Sequence, residues 1–253
     1  MTKISEIAGG MRRDSFNRNT SRAITPVAVV TGANRGIGLE VARQLAAAGF
    51  VVVASSRDLG RGERAAREID PTGQTVIACA LDVTDPASVR AAAGWVVDRL
   101  GRLDVLVNNA AVHYDAWQRA SGADLRVVSE ALDTNLLGAW RMTLAFLPLL
   151  RQSPHPRIVN VSSEGGSISQ MTGGPPAYSV SKAALNALTR LLASELRAGR
   201  ILVNAVCPGW TDTDMGRGGR PVSEGAASIT WAALLPDGGP TGGFYRDGKP
   251  LTW

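Results

Sequence analysis

Lysine, cysteine, histidine and aromatic side chains are all scarce in this chain of 253 residues, and each scarcity closes off a class of function. Two cysteines cannot build a disulfide framework, and with two scattered histidines they form no metal-ligand cluster, so no metal site is expected. Cys79 and Cys207 both lie in apolar, strand-like runs, which suits a reducing cytoplasm. No apolar run approaches about 18 residues, so no membrane span is expected. The net charge is +5, but of the 27 basic residues only Lys3, Lys182 and Lys249 are lysine. The remaining 24 are arginines scattered without interleaved aromatics, which does not fit a nucleic-acid interface. Residues 1–24 hold Arg12, Arg13, Arg18 and Arg22 but no apolar core, which argues against a secretory signal, while Glu6 and Asp14 argue against an organelle-targeting peptide. Residues 1–25 are expected to be a flexible extension, followed by one domain over 26–253.

Against that background one of the three lysines, Lys182, falls four residues after one of the three tyrosines, Tyr178. On a helix, side chains four apart share a face, so an ammonium there would stabilise a phenolate and make the Tyr178 hydroxyl a usable general acid. Nine Lys–Tyr pairings meet that spacing by chance about one time in thirty, so its weight depends on the rest of the chain.

From Pro26 onward short β-branched apolar runs alternate with amphipathic stretches. Strands are expected at Val27–Thr31, Phe50–Ala54, Thr75–Ala80, Leu103–Val107, Arg157–Val161, Ile201–Val206 and Gly243–Arg246. Helices are expected at Ile37–Ala48, Arg61–Ile69, Ala87–Leu100, Leu125–Leu150 and Ala177–Arg197. Apolar strands separated by helices imply a central parallel sheet of about seven strands with helices on both faces, a single doubly wound α/β domain of Rossmann type.

In such a sheet ligands bind at the carboxyl ends of the strands, and each expected strand ends in a polar or glycine-rich element. The first runs into Thr31-Gly32-Ala33-Asn34-Arg35-Gly36-Ile37-Gly38 and then a helix, a turn whose glycines let backbone N–H groups approach a pyrophosphate. Its spacing, Gly-x3-Gly-x-Gly, departs from the commoner Gly-x-Gly-x2-Gly. The second ends in Ser55-Ser56-Arg57-Asp58, where an acidic residue would favour NAD. Arg57 together with Arg35 instead suits the 2′-phosphate of NADP. The third is followed by Asp82 and Val83, with Asp82 placed to meet an adenine amine, whereas Asp85-Pro86 reads as a helix cap. The fourth ends in Asn108-Asn109-Ala110-Ala111, the fifth in Ser162-Ser163, and the sixth in Cys207-Pro208-Gly209-Trp210-Thr211 with Thr213 close behind.

Taken together these motifs resemble the short-chain dehydrogenase/reductase family over nearly all of Pro26–Trp253, and within it the NADPH-dependent carbonyl reductase group. Ala111 departs from the glycine usual after Asn-Asn-Ala. The resemblance implies a catalytic set of Asn135, Ser163, Tyr178 and Lys182. It implies a cofactor site built from Gly32, Asn34, Arg35, Gly36, Ile37, Gly38, Arg57, Asp82, Val83, Asn109, Ala110, Tyr178, Lys182, Pro208, Gly209, Thr211 and Thr213. On that pattern Tyr178 donates a proton to a carbonyl oxygen as hydride arrives from NADPH, Ser163 hydrogen-bonds the oxygen, Lys182 lowers the tyrosine's proton affinity, and Asn135, in the long middle helix, holds a water. Ser162 is the rival to Ser163, but neighbours on a strand point opposite ways and the family pattern favours the later serine. The substrate would be a small carbonyl compound or alcohol. The alternative is a non-catalytic NADP-binding sensor or scaffold.

His113, Tyr114, Trp117, Met171, Trp210 and Met215 are candidates to line a substrate pocket, and Glu164 faces either that pocket or solvent. The helix at Ala177–Arg197 carries apolar residues over more than one stripe, Leu188 and Leu191 among them, which implies a homo-dimer or homo-tetramer with Leu188 at the interface.

Overall fold

The computed structural model describes residues 25–253, so the expected extension lies outside the described residues but for its last position. Val27–Val30 forms β1, and every side chain in it is buried because the sheet is covered on both faces. Alternation divides the strand: Val27 and Val29 join one core cluster while Ala28 and Val30 join the other.

The chain then runs through α1 (Gly36–Ala47), β2 (Val51–Ser56), α2 (Leu59–Ile69), β3 (Val76–Ala80), α3 (Pro86–Leu100) and β4 (Val105–Asn108). Next come α4 (Leu125–Leu132), a π turn at Asp133–Gly138 and α5 (Ala139–Leu150), followed by β5 (Arg157–Val161), α6 (Pro176–Glu195) and β6 (Leu202–Val206). The last elements are α7 (Val222–Ala233), β7 (Phe244–Arg246) and β8 (Lys249–Pro250). The sheet order is β3-β2-β1-β4-β5-β6-β7-β8. All neighbours are parallel except β7 and β8. Strand order reverses between β1 and β4, and the carboxyl ends of these two strands open the crevice where the glycine turn and Asn109 meet.

Met142 and Phe146 of α5 and Leu185 and Leu188 of α6 pack on one face of the sheet. Val41 and Leu45 of α1 and Ile229 of α7 pack on the other. The sheet has eight strands where about seven were expected, the addition being the two-residue hairpin partner of β7. Helix α7 was not expected either. Its sequence is small residues around Gly225, a weak helical pattern. Gly225 is there for close approach: a Cβ would lie 2.5 Å from Thr211 Oγ1. The expected helix 125–150 is helical throughout but carries the π turn around Asn135. Asp85 caps α3 with Pro86 at the first helical position, as expected, and Asp58 caps α2 by accepting from Arg61 N. Asp58 is thereby occupied as a cap, which removes the one acidic residue that spoke for NAD at this strand end.

Candidate active site

A cleft of about 490 Å³ opens along the carboxyl ends of β1, β2, β4 and β5. Its floor is the glycine turn. Gly32 (φ +66°) and Gly36 (φ +55°) adopt left-handed backbone that glycine takes without strain. At Gly38 a Cβ would sit 2.5 Å from both Asn109 Nδ2 and Gly32 O, so only glycine lets α1 start this close to β4. Thr31, at the head of the turn, ties it down. Its hydroxyl accepts from the N–H groups of Asn109 and Ala110, each at 2.9 Å, while Asn109 Nδ2 donates to Thr31 O at 2.8 Å. Asn109 thus braces the turn as well as lining the cleft. No side chain caps α1, and Gly36, Ile37 and Gly38 line the cleft at its positive end. That cradle fits a pyrophosphate.

The adenosine end is walled by Asn34, Arg35, Arg57, Asp82 and Val83. Arg57 is exposed and makes no ion pair among the described residues, whereas Arg35 pairs with Asp214 across the cleft mouth. Burial pushes the Asp82 carboxyl up, but hydrogen bonds from Thr84 and the Arg57 charge outweigh it and hold the group below its ordinary range. Asp82 is therefore an anion at neutral pH, able to accept from an amine. Gly138 lets the π turn meet this wall, since a Cβ there would be 2.7 Å from Val83 Cγ2.

At the other end Tyr178 and Lys182 lie on the inner face of α6, 8% and 2% exposed. Lys182 Nζ donates to Val161 O at 2.7 Å and stands 5.6 Å from the centre of the Tyr178 ring. Burial lowers Lys182 to about 8. It raises Tyr178 above its ordinary value, a hydrogen bond from Ser163 only partly opposing the shift. The expected net lowering of the tyrosine by Lys182 is absent from the pair itself, because desolvation of a fully enclosed phenol is the larger effect. The phenol is consequently held protonated, the form a proton donor needs.

Ser162 borders the cleft but is buried, and its hydroxyl donates to Asn186 Oδ1 at 2.6 Å. Ser163 is half-buried at the donor and accepts from Gly165 N at 3.1 Å. Asn135 sits in the π turn rather than regular helix and does not line the cleft. Its Oδ1 accepts from Val112 N at 2.8 Å, and its Nδ2 donates to Val112 O at 3.1 Å and to Ser181 Oγ at 2.9 Å. Both amide hydrogens are taken, so the side chain clasps the β4 loop to α6.

After β6, Pro208 and Thr213 reach the cleft, while Thr211 is buried with its hydroxyl on Pro208 O and Gly209 O. Gly209 (φ +72°) makes the bend, and Arg220, not foreseen, donates to Pro208 O at 2.8 Å while bound by both nitrogens to Asp247. Of the pocket candidates, Met215 lines the cleft and Tyr114 meets Tyr178 edge-on at 5.3 Å. Trp210 lies beside Tyr114 at 5.7 Å. His113 bonds Glu130 at 2.8 Å, and Trp117 and Met171 are exposed. Glu164 pairs with Arg246 of β7.

The family model described as short chain dehydrogenase matches residues 26–221. The chain is 38% identical to "Short-chain dehydrogenase/reductase 1" of Saponaria officinalis, covering 86% of this chain and 93% of that one. It is 34% identical to a (+)-neomenthol dehydrogenase of Capsicum annuum over 87% of this chain and 95% of the relative. Among solved structures, an NADPH-bound carbonyl reductase from chicken fatty liver matches with a TM-score of 0.82 and 32% identity, over 90% of this chain and 99% of that one.

Proposed function

The chain belongs to the short-chain dehydrogenase/reductase family, and from that premise we propose that it is an NADPH-dependent oxidoreductase that reduces a ketone or aldehyde to an alcohol. The observation that carries this reading is the buried, protonated Tyr178 beside Lys182 and Ser163 at the end of a dinucleotide-shaped cleft. Similarity to an NADPH-bound carbonyl reductase and to a neomenthol dehydrogenase supports it. These reductase relatives disfavour the sensor alternative.

When bound, NADPH supplies the hydride. Gly32, Asn34 and Gly36–Gly38 would hold its pyrophosphate end, with Asn109 bracing that turn. Arg35 and Arg57 would hold the 2′-phosphate, Asp82 and Val83 the adenine, and Ala110 and Lys182 the ribose side, while Pro208, Gly209, Thr211 and Thr213 would form the loop against the nicotinamide. Tyr178 gives its hydroxyl proton to the substrate's carbonyl oxygen, Ser163 donates a hydrogen bond to the same oxygen, and the Lys182 ammonium offsets the phenolate left behind. Asn135 keeps the β4 loop against α6 while this happens. The assay that tests the whole reading is loss of NADPH absorbance with a panel of ketones, aldehydes and quinones, and no turnover with any of them would overturn it.

Arg57 tests the cofactor, because Arg35 is already shared with Asp214. Arg57→Asp is expected to cost about 2 kcal/mol of NADPH binding, about thirtyfold in KM, while leaving NADH use unchanged or improved. Equal use of both cofactors by the parent protein would remove the clamp.

We further propose a homo-dimer or homo-tetramer in the cytoplasm. Two unpaired buried cysteines support the compartment, and an apolar surface on α5 and α6 supports the assembly: Trp140, Leu144, Val180 and Leu191 are exposed there. Leu188 belongs to the core instead, at 3% exposure, because it lies on the helix face turned to the sheet. Leu191, 64% exposed, is the residue to change. Light scattering should find a multiple of 26.5 kDa that Leu191→Arg reduces. A parent species at the single-chain mass would refute the interface.

A further inference from the structure

Helix α6 starts without a cap of its own. Pro175 stands at the N-cap and Pro176 at the first helical position, so neither supplies a side-chain acceptor to the first free amides, those of Ala177 and Tyr178. Both residues are buried, which denies those amides the water that serves at an exposed helix end. Their acceptors come from the loop after β4. Asp115, fully buried, takes Ala177 N on Oδ2 at 2.9 Å and Tyr178 N on Oδ1 at 3.0 Å. Gln118 Nε2 donates to the same carboxyl at 3.1 Å, and Gln118 Oε1 accepts from Asp124 N at 2.7 Å. The residue before it, Tyr114, sets its ring at 71° against the ring of Tyr178.

We infer that Asp115 is a positioning residue for the proton donor: its two carboxyl oxygens fix the first turn of α6 against the β4 loop and so set where the Tyr178 hydroxyl stands. The inference rests on Tyr178 being that donor. Two features separate this cap from an ordinary one. The amide it holds belongs to Tyr178 itself, and the loop it comes from also carries Asn109 and Ala110 on the cleft wall. The carboxyl therefore ties the acid to the wall against which the cofactor would lie. By contrast, Asp58 and Asp85 cap helices within their own few residues and make no bond to this network. A buried carboxyl is also the acceptor that can serve two donors at once, and an amide side chain at that position has one oxygen for the two.

The experiment compares Asp115→Asn and Asp115→Ala with Tyr178→Phe and with Asp85→Ala, a cap variant outside this hydrogen-bond network, following kcat, KM, NADPH binding by titration, and melting temperature. In Asp115→Asn, one NADPH should bind per chain with Kd within about twofold of the parent while kcat falls about tenfold, and Asp115→Ala should fall further, since a displacement of about 1 Å at a reacting group costs up to 10²-fold. Asp85→Ala should lower the melting temperature without changing kcat. The inference is overturned if Asp115→Asn and Asp115→Ala, with full NADPH binding, both turn over within about twofold of the parent while Tyr178→Phe is inactive. It is overturned equally if kcat falls only in proportion to lost NADPH-binding sites, which is what misfolding alone would give. An active Tyr178→Phe would instead remove the assignment of the donor, and the inference with it.

Discussion

Tyr178→Phe is expected to lower turnover by about 10²–10⁴-fold while leaving NADPH binding and the melting temperature close to the parent's. The ring is 8% exposed and packs edge-on against Tyr114, and phenylalanine keeps both the burial and the contact. Only the hydroxyl is lost, and with it the proton for the carbonyl oxygen and the partner of Ser163. Single-turnover measurement with saturating NADPH separates this from a binding defect. The effect should sit in kcat, because the group acts on charge that develops as the carbonyl is reduced. A variant that kept more than about a tenth of the parent rate would show that another group carries the proton.

Lys182→Arg is expected to be as damaging, and in a different way. The lysine is 2% exposed with its Nζ on Val161 O at 2.7 Å, a space that satisfies one compact ammonium. A guanidinium brings five N–H donors on a planar fork, and each donor left unsatisfied in a buried position costs about 1–3 kcal/mol. Charge is not the difference, since both side chains are cationic below pH 8; shape and hydrogen-bond geometry are. The variant should therefore lose stability, NADPH affinity and turnover together, with turnover reduced to about 1% or less. Lys182→Arg with near-parental kcat and cofactor affinity would strip the lysine of its place at the ribose and beside the phenolate.

What could be foreseen from the sequence was local. Periods of 2 and 3.6 residues identified β1 to β7 and α1 to α6, with ends within about two residues for most. The glycine turn could be read because it needs left-handed backbone at fixed positions, and the Tyr178–Lys182 pair because four residues along a helix return to the same face. Arg57 and Asp82 could be placed because each follows a strand, and the strand ends share one edge of a parallel sheet.

Tertiary structure decided the features that depend on a distant partner. Alternation along β5 showed that Ser162 and Ser163 point opposite ways, but only Asn186, 24 residues further on, shows which one is tied into the core. The apolar pattern of α6 is wide enough to admit Leu188 and Leu191 alike, and the sheet beneath buries one and leaves the other at 64% exposure. Helix α7 has too weak a local pattern to announce itself and forms where Ile229 and its neighbours find the face of α1. Asp115 caps a helix that begins 61 residues later in the chain, and nothing in the run Tyr114-Asp115-Ala116 distinguishes it from a loop carboxylate. Even the shift in proton affinity of Tyr178 runs opposite to the local expectation. The lysine four residues away argued for a lower value, whereas the enclosure that raises it is built by α6, β5 and the loops after β4 and β6 together, and desolvation is a property of the assembled surroundings.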